Sequence, residues 1–170
     1  MADAPKTRIL DALQIERKLQ RIAREIIEHH IDDDVVLIIG VVGRGEEIAR
    51  RLALILSDIC SADFPLGTIR LHKDLPLNHP TEFEGIQPED IAGQPAILVD
   101  DVLNSGRTLI HAVKSVLDFS PRELRTAVLI DRFHRSFPIR ADFCGLTLST
   151  NLKEHIEVVL NDGEEAAYLS

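Results

Sequence analysis

Ala96-Ile-Leu-Val-Asp-Asp-Val-Leu-Asn-Ser-Gly-Arg-Thr108 sets four apolar residues directly before two adjacent carboxylates and a small polar loop that opens a helix. An apolar run without polar alternation is the pattern of a strand covered on both faces by helices, and helical spacing resumes from Arg107 to Asp118. In an open α/β sheet, ligands sit at the carboxyl ends of the strands, so the residues after Val99 are the first place to look for a site. Asn104 to Thr108 can turn backbone N–H groups and the Ser105 and Thr108 hydroxyls toward one anion, with the positive end of the following helix behind them. That is a phosphate cradle. Asp100 and Asp101 can accept hydrogen bonds from a vicinal diol, as in ribose, or lie near a magnesium ion. On their own they read equally well as an N-cap and turn acid that touch no ligand.

The same unit recurs on either side. Val35 to Val42 is a second unbroken apolar run, closed by the turn Gly43-Arg44-Gly45 and followed by helical spacing from Glu46 to Asp58. Thr126 to Ile130 is a third buried strand after the Pro121 breaker. Ile9 to His30 reads as one amphipathic helix. Short strands are expected at Thr68–Leu71, near Phe143 and at Ile156–Leu160, ahead of an acidic end, Asp162-Gly-Glu-Glu165. Residues 72 to 94 carry Pro76, Pro80, Pro88, Gly85 and Gly93 with no sustained period, the pattern of a loop long enough to serve as a lid. The alternation predicts an α/β fold with a mainly parallel central sheet flanked by helices, in one domain spanning 1–170.

Composition excludes several classes. With 170 residues, 45% hydrophobic and 28% charged, the chain is of ordinary globular type. Its longest apolar run is far short of the ~20 residues that a bilayer span needs. The N-terminus, Met1-Ala-Asp-Ala-Pro-Lys6, has no apolar signal region, so a cytoplasmic location is expected. Cys60 and Cys144 form neither a CxxC pair nor a zinc set and read as free thiols. A formal charge of −9 and only 4% aromatics oppose non-specific nucleic-acid binding. Arg17, Lys18, Arg21 and Arg24 line the first helix, but Glu16, Glu25 and Glu28 interleave with them, as on a solvated face. Gly43-Arg-Gly45-Glu-Glu-Ile48 begins like a dinucleotide fingerprint, but Ile48 stands where close helix packing needs Gly or Ala.

The string from Ile97 to Thr108 closely resembles the phosphoribosyl pyrophosphate (PRPP) signature of the type I phosphoribosyltransferases. Further stretches are similar to the pyrimidine operon attenuator and uracil phosphoribosyltransferase family: Arg8-Ile-Leu-Asp11, Arg21 to Glu28, Gly40-Val-Val-Gly-Arg-Gly45, Ala127-Val-Leu-Ile-Asp-Arg132, His134-Arg135 and Pro138 to Phe143. The resemblance implies the type I phosphoribosyltransferase fold, with a small hood and a mobile lid. It implies transfer from PRPP to a nucleobase with Mg²⁺, most simply uracil giving UMP, and a homo-oligomer, a dimer. A purine base, or an RNA-binding attenuator with weak or no transferase activity, are the alternative readings.

Carried over residue by residue, Asp100 and Asp101 would hold the ribose hydroxyls. Leu103, Asn104, Ser105, Gly106, Arg107 and Thr108 would hold the 5-phosphate. Gly43, Arg44 and Gly45 would form the pyrophosphate loop, with Arg44 in a catalytic role beside the two acids and Arg140 a further pyrophosphate contact. Asp131, Arg132, Phe133 and His134 fall on the base side, and Asp131 is a candidate magnesium partner or a strand-ending turn residue. The lid cation would be His72 or Lys73. This chain departs from the family's pattern in five places. Asn104-Ser105 replaces Tyr-Thr, Val42-Gly43 replaces Lys-Thr, Leu71-His72-Lys73-Asp74 replaces Tyr-Arg-Asp-Asp, Phe133 replaces a glycine, and Ser136-Phe137 replaces Glu-Leu.

Overall fold

The computed structural model describes residues 6–71, 81–150, 154–161 and 163–170. Thr7–Asp11 forms a strand, β1, where the periodicity predicted the start of a helix. The helix, α1 (Ala12–His29), begins at a reciprocal cap: the Gln14 N–H donates to Asp11 Oδ1 at 2.8 Å and the Asp11 N–H donates to Gln14 Oε1 at 2.9 Å. Its stripe of Ile15, Leu19, Ile22, Ala23 and Ile26 is buried. There follow β2 (Leu37–Val41), α2 (Arg44–Ile59), β3 (Leu66–Arg70), β4 (Glu82–Glu84) and the single turn α3 (Pro88–Ile91). The rest is β5 (Pro95–Leu103), α4 (Arg107–Leu117), β6 (Glu123–Asp131), β7 (Phe143–Thr147), β8 (Ile156–Asn161) and β9 (Glu164–Leu169).

The central sheet has the order β4-β3-β2-β5-β6-β7 and is parallel except for β4, which runs antiparallel on the edge. Ile38, Ile97, Val99, Ala127 and Leu129 face α1 and α2, while Leu37, Ile39, Leu98 and Val128 face α4 and Ile91. Both faces being buried, neither can carry a polar residue, which accounts for the unbroken apolar runs. Gly40 lets α2 close on β2, for a Cβ there would lie 2.7 Å from Glu46 Cα. Arg21 is part of this packing: one guanidinium nitrogen donates to the carbonyls of Cys144 (2.7 Å) and Gly145 (2.8 Å), tying α1 to β7 rather than standing on a free basic face.

A second sheet of three antiparallel strands, β1-β9-β8, forms the hood. The expected acidic end is thus its central strand, with Ala166 and Ala167 buried. Arg51 of α2 fixes the hood through a two-pronged pair to Glu165 at 2.9 and 2.8 Å.

The expected loop 72–94 is shorter than its composition suggested. Residues 72–80, with His72 and Lys73, lie outside the described residues, but β4 pairs with β3, Pro88 starts α3, and Ile86 and Ile91 are buried. Among the described residues, no helix is long and apolar enough to cross a membrane.

Candidate active site

The carboxyl ends of β2 and β5 and the first turns of α2 and α4 meet in a cleft of about 480 Å³. Gly43 takes φ 110° at the turn out of β2, and Arg44 and Gly45 already belong to α2. β5 runs beyond Val99 to Leu103, so Asp100 and Asp101 are strand residues with carboxylates oriented by their own backbone. The Asp101 N–H donates to Asp100 Oδ1 at 2.9 Å, and the Val102 N–H to Asp101 Oδ1 at 2.8 Å. Asn104 to Gly106 turn the chain into α4, Gly106 in the left-handed region at φ 85°, and the Arg107 N–H donates to Ser105 Oγ at 3.3 Å. A small pouch of about 50 Å³ runs from Asp100 along this loop to Leu109, and it shares Asp100, Val102, Asn104 and Thr108 with the larger cleft. The hood supplies a wall, His155 and Ile156, that sequence reasoning did not place at the site.

The segment after β6 packs on the loop that joins β5 to α4, at Asn104 and Ser105. Arg132 is buried, with Nη1 donating to Asn104 Oδ1 (3.0 Å), Nε to Thr150 Oγ1 (3.0 Å) and Nη2 to the Glu154 carbonyl (2.5 Å). It is therefore an internal tie, where the sequence pattern set it beside the base. Arg135 donates to the carbonyls of Ile139 (2.7 Å) and Asn104 (3.3 Å) and to Asp131 Oδ2 (2.5 Å). The N–H groups of Ser136 and Phe137 both reach the Ser105 carbonyl, at 2.9 and 3.1 Å. Asp131 accepts from the Phe133 N–H at 2.8 Å as well as from Arg135, so both its oxygens are engaged in holding this segment. His134 Nε2 hydrogen-bonds the Thr150 carbonyl.

Phe133 stands 72% exposed, with φ 64°. The Arg140 carbonyl accepts from Thr126 Oγ1 at 2.7 Å, beside the amino-terminal half of β6.

At the cleft mouth Arg44 lies 4.0 Å from Asp101 and 4.0 Å from Glu157 of β8. Glu157 in turn accepts from Lys6 Nζ at 2.7 Å, which holds its carboxyl below the usual range. On α2, hydrogen bonds first from Arg50 and then from Arg51 hold Glu47 at a pKa of about 2, and the hydrogen bonds that Arg51 donates to Glu165 raise the Arg51 pKa above its ordinary value. Among the described residues, no group of three or more His, Cys, Asp and Glu is placed to hold a metal. Asp100 and Asp101 are oxygen donors of the type magnesium takes, one or two carboxylates at a time together with waters and substrate phosphates.

Residues 5–161 match the phosphoribosyl transferase domain, and the chain belongs to that family. A domain of this kind implies PRPP and a nucleobase as substrates, and the family generally uses magnesium. The relatives it matches are bifunctional PyrR proteins. That of Enterococcus faecalis is 38% identical over 167 residues, covering 95% of this chain and 94% of the relative. Those of Streptomyces coelicolor and Deinococcus radiodurans are 40% and 41% identical over 95% and 94% of this chain, and 88% and 90% of their own. In fold, the hypoxanthine phosphoribosyltransferase of Trypanosoma cruzi is similar at TM-score 0.78 and 16% identity, over 96% of this chain and 95% of that one. A hypoxanthine-guanine phosphoribosyltransferase of Bacillus anthracis is similar at TM-score 0.68 and 18% identity, over 86% and 84%.

Proposed function

We propose that the chain transfers the phosphoribosyl group of PRPP to a pyrimidine base, uracil giving UMP and pyrophosphate, in a magnesium-dependent reaction. The observation that carries this reading is the pair Asp100 and Asp101, oriented by its own backbone at the junction of the cleft and the phosphate-sized pouch. The two acids receive the ribose hydroxyls. The N–H groups and hydroxyls from Leu103 to Thr108 hold the 5-phosphate, with the α4 terminus behind them.

Gly43-Arg44-Gly45 serves the pyrophosphate, and Arg44 meets the charge that grows on it as the anomeric carbon becomes oxocarbenium-like. Asp100 and Asp101 would stand beside a magnesium ion brought with PRPP, which would supply neutralisation of phosphate charge. No covalent nucleophile is needed. The base sits toward Phe133 and His134, and the lid cation is His72 or Lys73, outside the described residues. The whole chain acts as a single domain, in the cytoplasm, as a homodimer.

Pyrophosphate release from PRPP and Mg²⁺ tests this with uracil, hypoxanthine, guanine, adenine and no base. Uracil-dependent release supports the reading. Purine-dependent release keeps the mechanism and overturns the substrate. No release with any base, despite PRPP binding, leaves the regulator.

A second reading is a nucleotide-sensing regulator that attenuates pyrimidine genes through RNA, with weak or no transferase activity; the similarity to bifunctional proteins supports a role beyond transfer. Filter binding of a pyrimidine-operon leader across a salt series checks it, and no specific binding at low salt would remove it.

A further inference from the structure

Arg44 is held by charge and not by a fixed fork. Its Nη1 lies 4.0 Å from Asp101 Oδ2 and its Nη2 4.0 Å from Glu157 Oε1, both beyond hydrogen-bond range. Glu157 is held firmly from the other side, by Lys6 Nζ on Oε2 at 2.7 Å. Strand alternation makes it face outward: its neighbours Ile156 and Val158 are buried, leaving the carboxylate at the rim of the groove where Gly43, Arg44 and Glu47 meet the hood. One oxygen therefore belongs to the hood and the other confronts the arginine that the pyrophosphate needs. An anion entering the cleft must draw Arg44 away from Glu157, and it then finds a like charge left at the rim.

We propose that Glu157 is a positioning residue that competes with pyrophosphate for Arg44, and so sets how tightly the protein holds both PRPP and its released pyrophosphate. This rests on the reading of the cleft given above. Lys6 moderates the competition by sharing the Glu157 carboxylate.

The two partners of that carboxylate give effects of opposite sign. Glu157→Gln removes the competitor and should tighten binding of magnesium pyrophosphate and lower the KM for PRPP, roughly three- to five-fold, while kcat does not rise. Lys6→Met gives the whole carboxylate to Arg44 and should weaken both by a similar factor. Both differences should shrink in about 0.5 M salt, because the groups are solvent-facing.

The measurements are calorimetric titration of the full chain with magnesium pyrophosphate, steady-state KM and kcat for PRPP, and thermal midpoints. A residue that merely braced the hood would shift the midpoints without opposite signs in affinity. Equal affinities in both variants, or shifts in the same direction, overturn the inference while leaving the cleft assignment standing. A wild-type chain that binds no pyrophosphate overturns both.

Discussion

Gly45 lies with its α-carbon against Asp100: a Cβ at this position would come 2.9 Å from the Val99 carbonyl oxygen and 3.0 Å from Asp100 Oδ1. The glycine therefore lets the first turn of α2 settle onto β5 beside the acid that the site depends on. Gly45→Ala should push Asp100 out of place, costing about 1–3 kcal/mol of stability and on the order of 100-fold in kcat/KM. Urea midpoints and steady-state kinetics check the two numbers. A stable, fully active variant would show that the contact does not position Asp100.

Asp100→Asn and Asp101→Asn keep the oxygens that accept the Asp101 and Val102 N–H groups, so both variants should fold. Turnover should fall roughly 100- to 1,000-fold, the range for removing one preorganised electrostatic group. Full activity in either variant would remove that residue from the ribose site.

Arg132→Met strips donors from Asn104, Thr150 and the Glu154 carbonyl at once. A loss of about 3 kcal/mol is expected, together with a higher KM for PRPP, because Asn104 belongs to the phosphate loop. Denaturant unfolding with an unchanged m-value would identify the loss as one of stability.

Glu47 has its carboxyl depressed from the usual 4.5 to about 2, so its stabilisation is complete above the ordinary value and disappears as pH falls through that window. The wild-type chain should lose stability between those limits. Glu47→Gln should be less stable at neutral pH and show a flatter acid limb in a series of urea midpoints. Parallel limbs would mean that the Arg50 and Arg51 contacts do not persist in solution.

Phe133 at φ 64° occupies the left-handed region, which disfavours a side chain branching to a ring by ~1–2 kcal/mol. Phe133→Asn, a residue that tolerates this conformation, should raise stability by about 0.5–1 kcal/mol. Thermal unfolding checks it, and a fall in midpoint would mean that the exposed ring makes contacts outweighing the strain.

The layers buried on both faces were readable because a run such as Val35 to Val42 is too short to cross a bilayer and too apolar for a half-solvated strand, which leaves the interior of a covered sheet. The strand that leads into the two acids was readable from its apolar run, but it continues past Val99 to Leu103 and takes Asp100 and Asp101 into β5. The hood was harder. Glu164 to Leu169 is rich in residues that favour helix, and it is a strand because β1 and β8 pair with it on both edges, an arrangement that no local pattern encodes. The start of α1 was legible in principle, since Asp11 and Gln14 have capping-box spacing. The ties of Arg132 were not legible, because its partners, Asn104, Thr150 and the Glu154 carbonyl, are remote in sequence.

Because β9 lies between β1 and β8, the roof over the cleft joins residues from opposite ends of the chain. During synthesis the parallel layers can assemble while β1 still lacks an edge to pair with, and only when residues 164–169 have left the ribosome can the roof close. A nascent chain thus carries its phosphate loop before it carries the wall formed by His155 and Ile156. The wall is complete only once β9 has paired with β1 and β8.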